Sequence, residues 1–262
     1  MQTTYLDRIL AAHRAAAAAD DRDTDDLLAA AGAVAPCRGF RAALEAATGM
    51  AVISEVKRRS PSKGDLFPDL DPALLARQYQ EGGASGLSVL TDEAYFGGSV
   101  ADLQAARAAV TLPVLRKDFT VHRHDVFDAR IMGADCVLLI AAALDDAELA
   151  ELHTLAVEVG LDVLVEIHDE AELERALNVD ATLIGVNQRD LVTFEVDTAR
   201  AVRMAPLMPS GVTRVAESGV RDADDVRVLG DAGYHAVLVG ETLVKHGDPA
   251  RGVAELRAGF GG

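Results

Sequence analysis

The sequence contains no tryptophan and only two cysteines, Cys37 and Cys136, among its 262 residues. Their wide separation excludes a CxxC motif and a disulfide framework, so we expect two buried thiols in a reducing compartment. No stretch has the roughly 18 to 20 apolar residues that a membrane-spanning helix needs, and the N-terminus lacks a signal-peptide pattern. We therefore expect a cytoplasmic protein that does not contact membranes.

Basic residues are scarce, because 25 Lys and Arg stand against 42 Asp and Glu and give a formal net charge of −17. Nucleic acids and anionic membrane surfaces bind proteins with a basic excess, so neither is expected as a partner. Half of the residues are hydrophobic and 26% are charged, which excludes a globally disordered chain. An anionic ligand therefore requires that the few positive charges be concentrated in one place.

From Met50 onward, short apolar segments rich in β-branched residues alternate with helical patterns. The predicted strands are MAVISEV, GLSVLT, PVLRKD, DCVLLI, DVLVEI, TLIGVN, TRVAES and AVLVG. Nearly continuous apolar strands are typical of a parallel sheet that is covered on both faces. Eight β-then-α units in roughly 210 residues predict an α/β protein of the closed (β/α)8 TIM-barrel type.

The alternative fold is an open doubly wound sheet, which uses fewer strands and often carries a Gly-rich loop after the first one. The sequence has neither G-x-G-x-x-G nor G-x-x-x-x-G-K-[ST], and this favours the barrel. The alanine-rich start, in which Leu6, Ile9 and Leu10 share one face, indicates an amphipathic helix. We predict a single barrel domain over residues 1–262, with residues 1–48 as an N-terminal helical extension.

The ends of the predicted strands carry the candidate functional residues, because reactive groups of such barrels lie at the carboxyl ends of strands. Residues two apart in a strand point to the same face. The pairs that share a face in this way are Glu55 with Lys57, Lys117 with Phe119, and Asn187 with Arg189. We expect two lysines and several carboxylates to meet at one mouth of the barrel.

Positive charges are concentrated near these strand ends. Four lie within seven positions and three more follow or end other strands: Lys57, Arg58, Arg59 and Lys63, then Arg116, Lys117 and Arg189. This concentration predicts a site for an anionic substrate. The alternative is a basic loop that only balances nearby acidic residues.

The last two strands indicate which anion is bound. Gly219 in AESGV and Gly240 in LVGE follow strands seven and eight, where many barrels bind phosphate with backbone N–H groups and a helix N-terminus. Ser218 lies beside the first of them. Either glycine alone could serve only to turn the chain, but their joint position favours a phosphorylated substrate.

These motifs, in this order, resemble those of the indole-3-glycerol phosphate synthase family of tryptophan biosynthesis. The most specific ones are SEVKRRSPSKGDL, PVLRKDF, GADCVLLI, VEIH, IGVNQRDL, VAESGV and LVGETL. The resemblance implies a (β/α)8 barrel with an N-terminal helical segment. It also implies a carboxy-lyase that converts 1-(2-carboxyphenylamino)-1-deoxyribulose 5-phosphate into indole-3-glycerol phosphate, CO2 and water, with no cofactor and no metal.

The resemblance further implies roles for individual residues. Lys117 matches the general acid and Glu166 the carboxylate that takes up a proton during dehydration. Lys57 matches a second lysine, which holds the substrate carboxylate or is itself an acid in the later step, and the sequence does not decide which lysine protonates which oxygen. Glu55 would orient the lysines. The other implied site residues are Asn187, Arg189, Glu217 and Ser218 around the ribulose hydroxyls and the reacting centre, Phe119 and Leu138 on the anthranilate ring, Ser60 near the phosphate, and Gly219, Gly240 and Glu241 at the phosphate.

Several of these residues also have structural interpretations. Phe119 and Leu138 could be plain barrel core, and Ser60 could stabilise a turn. We expect His122 and His124 not to bind a metal. His168 follows Glu166 at a strand end and could line the mouth, but we expect it to face solvent in a loop.

Two other functions fit part of the pattern. A phosphoribosylanthranilate isomerase would need an acid–base pair such as Cys and Asp at opposite strand ends, and no predicted strand ends in Cys. A non-catalytic barrel that binds phosphate would need neither Lys117 nor Glu166. We expect a small phosphosugar substrate, no macromolecular partner and a monomer.

Overall fold

The protein is described here by a computed structural model that covers residues 4–60 and 64–261. These residues include eight parallel strands that close into a barrel, in which each strand pairs with its neighbours in sequence and the last pairs with the first. The strands are β1 Ala51–Val56, β2 Gly86–Leu90, β3 Val114–Lys117, β4 Cys136–Ile140, β5 Asp162–Ile167, β6 Leu183–Asn187, β7 Thr213–Glu217 and β8 Ala236–Val239. The predicted (β/α)8 barrel is confirmed.

The strands are apolar along their whole length because both of their faces are covered. All six residues of β1 and all five of β4 are buried, since inward side chains fill the barrel and outward ones meet the helices. The seam that closes the barrel pairs Ile53 with Leu238 on one side and with Gly86 on the other.

Helices follow the strands, and the longer ones cover the outside of the barrel. They are α4 Pro72–Glu81, α5 Glu93–Phe96, α6 Val100–Ala109, α7 Arg123–Ile131, α8 Asp146–Glu158, α9 Glu170–Asn178, α10 Arg200–Met204, α11 Ala223–Asp231, α12 Glu241–Lys245 and α13 Pro249–Ala258. Side-chain caps such as Asp71, Asp145 and Asp169 accept hydrogen bonds from the first turns of α4, α8 and α9. Such caps fix where each helix begins and therefore where each loop at the barrel mouth ends.

Three further helices precede the barrel: α1 Tyr5–Ala18, α2 Thr24–Ala33 and α3 Phe40–Glu45. The predicted apolar face of α1 is present, with Ile9 buried and Leu6 and Leu10 half-buried. Phe40 of α3 is buried against Gly86, at the amino end of β2. The helix α3 therefore contacts the end of the barrel that lies opposite the carboxyl ends of the strands.

Cys136 is buried in β4 as expected, whereas Cys37 is half-buried and donates a hydrogen bond to the carbonyl of Ala134 at 3.6 Å. Across the described part of the chain, no helix is long and apolar enough to cross a membrane.

Candidate active site

A cavity of about 710 Å³ opens at the carboxyl ends of the strands. Every site residue that the family resemblance implied contributes to its lining: Glu55, Lys57, Ser60, Lys117, Phe119, Leu138, Glu166, Asn187, Arg189, Glu217, Ser218, Gly219, Gly240 and Glu241. The predicted meeting of lysines and carboxylates at one mouth is therefore present, because the barrel closure brings the ends of seven different strands or their loops together.

At the centre of the cavity, a lysine lies between two glutamates from other strands. Lys117, the last residue of β3, donates a hydrogen bond from Nζ to Glu166 Oε2 at 2.9 Å, and its Nζ lies 3.5 Å from Glu217 Oε2. The side chains of Glu166 and Glu217 are only 1% and 2% exposed. Glu166 is the last but one residue of β5 and Glu217 is the last residue of β7, so both lie at the mouth.

Lys117, Glu166 and Glu217 shift one another's pKa values. Burial disfavours the charged form of Lys117, but the nearby carboxylates of Glu166, Glu217 and Glu55 outweigh it and raise its pKa, so it remains an ammonium group. Burial also opposes ionisation of Glu166, yet Lys117 and neighbouring donors lower its pKa. For Glu217, the attraction of Lys117 is too weak to offset burial and the repulsion of the neighbouring carboxylates, so its pKa is raised. The site thus pairs an ammonium acid with one ionised and one readily protonated carboxyl group.

A second lysine–glutamate pair lies at the end of β1. Lys57 Nζ donates a hydrogen bond to Glu55 Oε1, as the two-residue spacing predicted. The hydroxyl of Tyr79 in α4 donates to the backbone carbonyl of Glu55 at 3.1 Å and so fixes this strand end.

Two carboxylates occupy space that glycines on neighbouring strands leave open. A Cβ atom at Gly185 would lie 2.1 Å from Glu217 Oε1, and one at Gly240 would lie 2.6 Å from Glu55 Oε1. The absence of a side chain at each position therefore makes room for the carboxylate beside it.

Asn187, at the end of β6, connects the centre of the cavity to the following loop. Its Nδ2 donates to Glu166 Oε1 at 3.1 Å, and its Oδ1 accepts from the backbone N–H of Arg189 at 3.0 Å. The guanidinium of Arg189 donates to the carbonyl of Phe194 at 3.1 Å, which holds the loop over the mouth.

The loops after β7 and β8 form the end of the cavity where phosphate was predicted. Ser218 and Gly219 both have left-handed backbone conformations, with φ values of 64° and 78°. A side chain at Gly219 would be strained for this reason, and its Cβ would also lie 2.6 Å from Val196 Cγ1. Glu241 begins α12, and Lys245 donates to its Oε1 at 2.5 Å. Because a carboxylate repels phosphate, Glu241 suits a phosphate site only through its backbone N–H.

An apolar wall borders the charged centre. Phe119, just after β3, packs near Phe96 with ring centroids 6.3 Å apart, and Leu138 of β4 lies in the cavity lining while being almost fully buried. Such a wall suits an aromatic ring, while the opposite end suits an anion.

Comparison with known proteins identifies the family of this chain. A family model described as indole-3-glycerol phosphate synthase matches residues 6–256. The chain belongs to the indole-3-glycerol phosphate synthase family. It is 52% identical to a protein of this name from Nocardioides sp., over 97% of this chain and 98% of that one, and 53% identical to one from Leifsonia xyli subsp. xyli, over 90% and 91%. The family predicted from the motifs is confirmed.

A solved structure with low sequence identity supports the fold alone. Thiamine phosphate pyrophosphorylase from Pyrococcus furiosus is similar over 80% of this chain and 94% of its own, with a TM-score of 0.60 and 16% identity. At this identity the likeness concerns the barrel and not the chemistry.

The predicted concentration of positive charge at the mouth is wrong for three residues. Arg58 pairs with Asp102 at 2.9 Å and Arg59 with Asp65 at 2.8 Å, both outside the described lining of the indole-3-glycerol phosphate synthase cavity. Arg116 neighbours Lys117 in β3 and therefore points to the opposite face, where it is buried.

Lys63 lies outside the described residues. Among the described lysines and arginines, those that line the cavity are Lys57, Lys117 and Arg189, as predicted, together with Arg221 and Lys245 after β7 and β8.

The expectation that His168 faces solvent is also wrong. Its side chain is only 12% exposed, its Nδ1 lies 3.0 Å from Glu172 Oε2, and its Nε2 lies 3.7 Å from Glu166 Oε1. The signal was present in the sequence, since residues 166 and 168 are two apart and share a face.

His13 of α1 is a second residue that the sequence analysis missed. Its Nε2 lies 3.0 Å from Asp92 Oδ2 and 3.8 Å from Asp118 Oδ1, and its ring packs 5.5 Å from that of Phe119. It thereby connects the N-terminal extension to the loops of the mouth. No local pattern marks a contact between residues so distant in sequence.

His124 contacts protein groups in the way expected of a structural residue. Its Nδ1 lies 2.9 Å from Asp20 and its Nε2 lies 3.1 Å from the hydroxyl of Thr24.

Proposed function

We propose that the chain converts 1-(2-carboxyphenylamino)-1-deoxyribulose 5-phosphate into indole-3-glycerol phosphate, CO2 and water. One observation carries the proposal: an ammonium group on Lys117 lies within 2.9 Å of the Glu166 carboxylate and 3.5 Å of that of Glu217, beside an apolar wall. The reaction needs an acid and a base at one aromatic substrate, and this cluster supplies both.

The first half of the reaction closes the ring. The ring carbon that bears the carboxylate attacks the ribulose ketone, and Lys117 donates a proton to the ketone oxygen as it becomes a hydroxyl. Lys57 holds the carboxylate, which then leaves as CO2, and its bonding electron pair restores the aromatic ring. The wall formed by Phe119 and Leu138 packs on that ring, and its burial contributes on the order of 2 kcal/mol.

The second half removes water. The new hydroxyl is protonated and leaves as water with the C–O electron pair, while the nitrogen lone pair stabilises the resulting cation through the aromatic ring. Glu166 then takes the proton from the carbon next to nitrogen, and the C–H electron pair forms the carbon–carbon double bond of the indole. We assign the second protonation to Lys57, with Glu55 fixing its position. Asn187 and Glu217 contact the reacting centre, and Glu217 Oε1 has no hydrogen-bond partner within residues 4–60 and 64–261.

The phosphate is assigned to the backbone N–H groups at Gly219, Gly240 and Glu241. Ser218 and Arg189 lie where they can contact the ribulose hydroxyls, and Ser60 lines the same cavity. Charge complementarity supports this end of the assignment, since Arg221 and Lys245 line it as well.

The two rival functions fit the site less well. Cys136 begins β4 at the opposite end of the barrel and is fully buried, so it cannot serve as the acid or base of an isomerase at the mouth. A protein that only binds phosphate has no use for a buried Lys117–Glu166–Glu217 cluster, whose desolvation is costly. A cytoplasmic location and a monomeric state remain predictions that belong to this proposal.

The test is to incubate the purified chain with the anthranilate-derived deoxyribulose phosphate and follow indole absorbance together with released CO2. We expect one CO2 for each indole formed. Arg123→Ala is a matched control, because Arg123 pairs with Glu151 on the outside of the barrel and its loss should leave turnover unchanged. A folded chain that forms no indole, or that instead isomerises phosphoribosylanthranilate, contradicts the proposal.

A further inference from the structure

Glu166 is held by different groups on its two oxygens. Oε2 accepts a hydrogen bond from Lys117 Nζ at 2.9 Å and faces the cavity. Oε1 accepts from Asn187 Nδ2 at 3.1 Å and lies 3.7 Å from His168 Nε2. The orientation of the Glu166 carboxylate therefore depends on Asn187 and His168 beside Oε1 as well as on Lys117 beside Oε2.

His168 is itself fixed from the opposite side. Its backbone N–H donates to Glu172 Oε2 at 2.7 Å, and its ring Nδ1 lies 3.0 Å from the same oxygen. Glu172 lies in the first turn of α9, whose cap Asp169 accepts from its N–H at 2.9 Å. The ring is thus held between β5 and the start of a capped helix.

The other ring nitrogen faces Glu166. His168 Nε2 is buried and has no hydrogen-bond partner within the described ranges of the chain, and the nearest carboxylate oxygen is Oε1 of Glu166. A buried, unpaired ring nitrogen is costly unless a charge or a nearby acceptor compensates for it. A protonated ring facing the carboxylate provides that compensation.

We propose that His168, supported by Glu172, is a positioning residue that holds Oε1 of Glu166 and so directs Oε2 toward the substrate. The inference rests on the proposed function, because it assigns Glu166 to the dehydration step. His168 does not touch the reacting atoms; it acts through Glu166.

The charges around His168 favour the protonated ring. Burial lowers its pKa, but Glu172 and Glu166 outweigh that effect and raise it, while Arg200 of α10 opposes them. Asn187 of β6 is the other polar group beside Glu166. When the ring loses its proton at higher pH, the attraction that holds Oε1 disappears, so turnover decreases on the alkaline side.

The kinetic test compares His168→Asn and Glu172→Gln with the native chain. We expect His168→Asn to lower kcat by about tenfold with KM within twofold. It should also remove the decrease in kcat at high pH that deprotonation of the His168 ring causes. Glu172→Gln should move that decrease to lower pH, because the ring loses the carboxylate that favours its charge. Glu174→Gln, on the exposed side of the same helix, is the control and should change neither.

A pH profile of His168→Asn that superimposes on that of the native chain overturns the proposal. So does a change in KM alone.

A second measurement does not depend on activity. With 15N-labelled histidine, NMR gives the pKa of the His168 ring in the native chain, in Glu172→Gln and in Glu166→Gln, and we expect it to decrease in both variants. If His168 titrates identically in all three proteins, the proposal fails whatever the enzyme does. If the ring pKa decreases in both variants but the native chain forms no indole, His168 does contact Glu166 and the proposed function is wrong.

Discussion

At the scale of single residues, the site depends most on the charge of Lys117. Glu166, Glu217 and Glu55 all act on this ammonium group, which pairs with both Glu166 and Glu217. We expect Lys117→Ala to lower turnover at least roughly a hundredfold, the lower end for a lost general acid, with an unchanged far-UV circular dichroism spectrum. Near-native turnover in this variant would refute the assignment.

Glu166→Gln should separate the two halves of the reaction. The amide keeps the size of the side chain but cannot take up the proton that dehydration releases. We expect substrate binding and some CO2 release to persist while indole formation is lost. CO2 and indole are therefore measured in the same sample, and an equal loss of binding and of both products would indicate a structural role.

Glu217 should make stability depend on pH. Its pKa rises from 4.5 to about 8 on folding, so its contribution is fully present below pH 4.5 and is lost as pH rises through 8. Glu166 adds no slope there, because its pKa is lowered and its contribution is complete above 4.5. We expect the free energy of unfolding in urea to decrease from pH 5 to pH 8.5, and Glu217→Gln to flatten this decrease. An identical slope in both proteins would contradict the pKa.

At the scale of elements, the strands were predictable because each signal is local. Alternation within a strand placed Glu55 with Lys57 correctly. The same rule, applied to Arg116 and Lys117, separates them to opposite faces, and applied to VEIH it places His168 with Glu166. Both errors concern side chains whose direction follows from strand alternation, so the sequence contained the information.

Contacts between distant elements were not predictable in this way. His13 and Asp92 are separated by 79 positions, and their meeting depends on how α1 docks on the mouth. Helical periodicity gives the apolar face of α1 but not its partner.

Docking of α1 should respond to pH. Burial disfavours protonation of His13, but Asp92 and Asp118 outweigh it and raise its pKa. The stability that this ion pair contributes is therefore fully present below the ordinary pKa of 6.5 and is lost as pH rises through the higher folded value.

Hydrogen exchange of the α1 amides can test this. We expect His13→Asn to exchange faster than the native chain at pH 6 and to approach it at pH 9. Equal ratios of exchange rates at the two pH values would contradict the ion pair.

At the scale of the whole molecule, stability and chemistry lie at opposite ends of the barrel. Asp135, fully buried before β4, accepts from the backbone N–H groups of Arg38 at 2.8 Å and Val114 at 2.8 Å and from the side chain of Arg107 at 3.0 Å. It therefore ties the N-terminal extension to the barrel floor.

We expect Asp135→Ala to lower the free energy of unfolding by about 3 kcal/mol, since three donors lose their acceptor. Turnover per folded molecule should stay near native, because the amino ends of barrel strands serve stability. Urea unfolding measures the change in stability, and turnover divided by the concentration of folded enzyme measures the change in activity. A large loss of turnover with unchanged stability would show that the two ends are coupled.

The missing side chains at Gly185 and Gly240 have a consequence for how this sequence can change over time. The Glu217 and Glu55 carboxylates occupy the space that a side chain at Gly185 or Gly240 would fill. Even a single methyl group at either position would therefore displace the carboxylate beside it. Descendants of this chain that keep the chemistry should retain glycine at both positions, and mutant libraries aimed at new substrates gain nothing by randomising them.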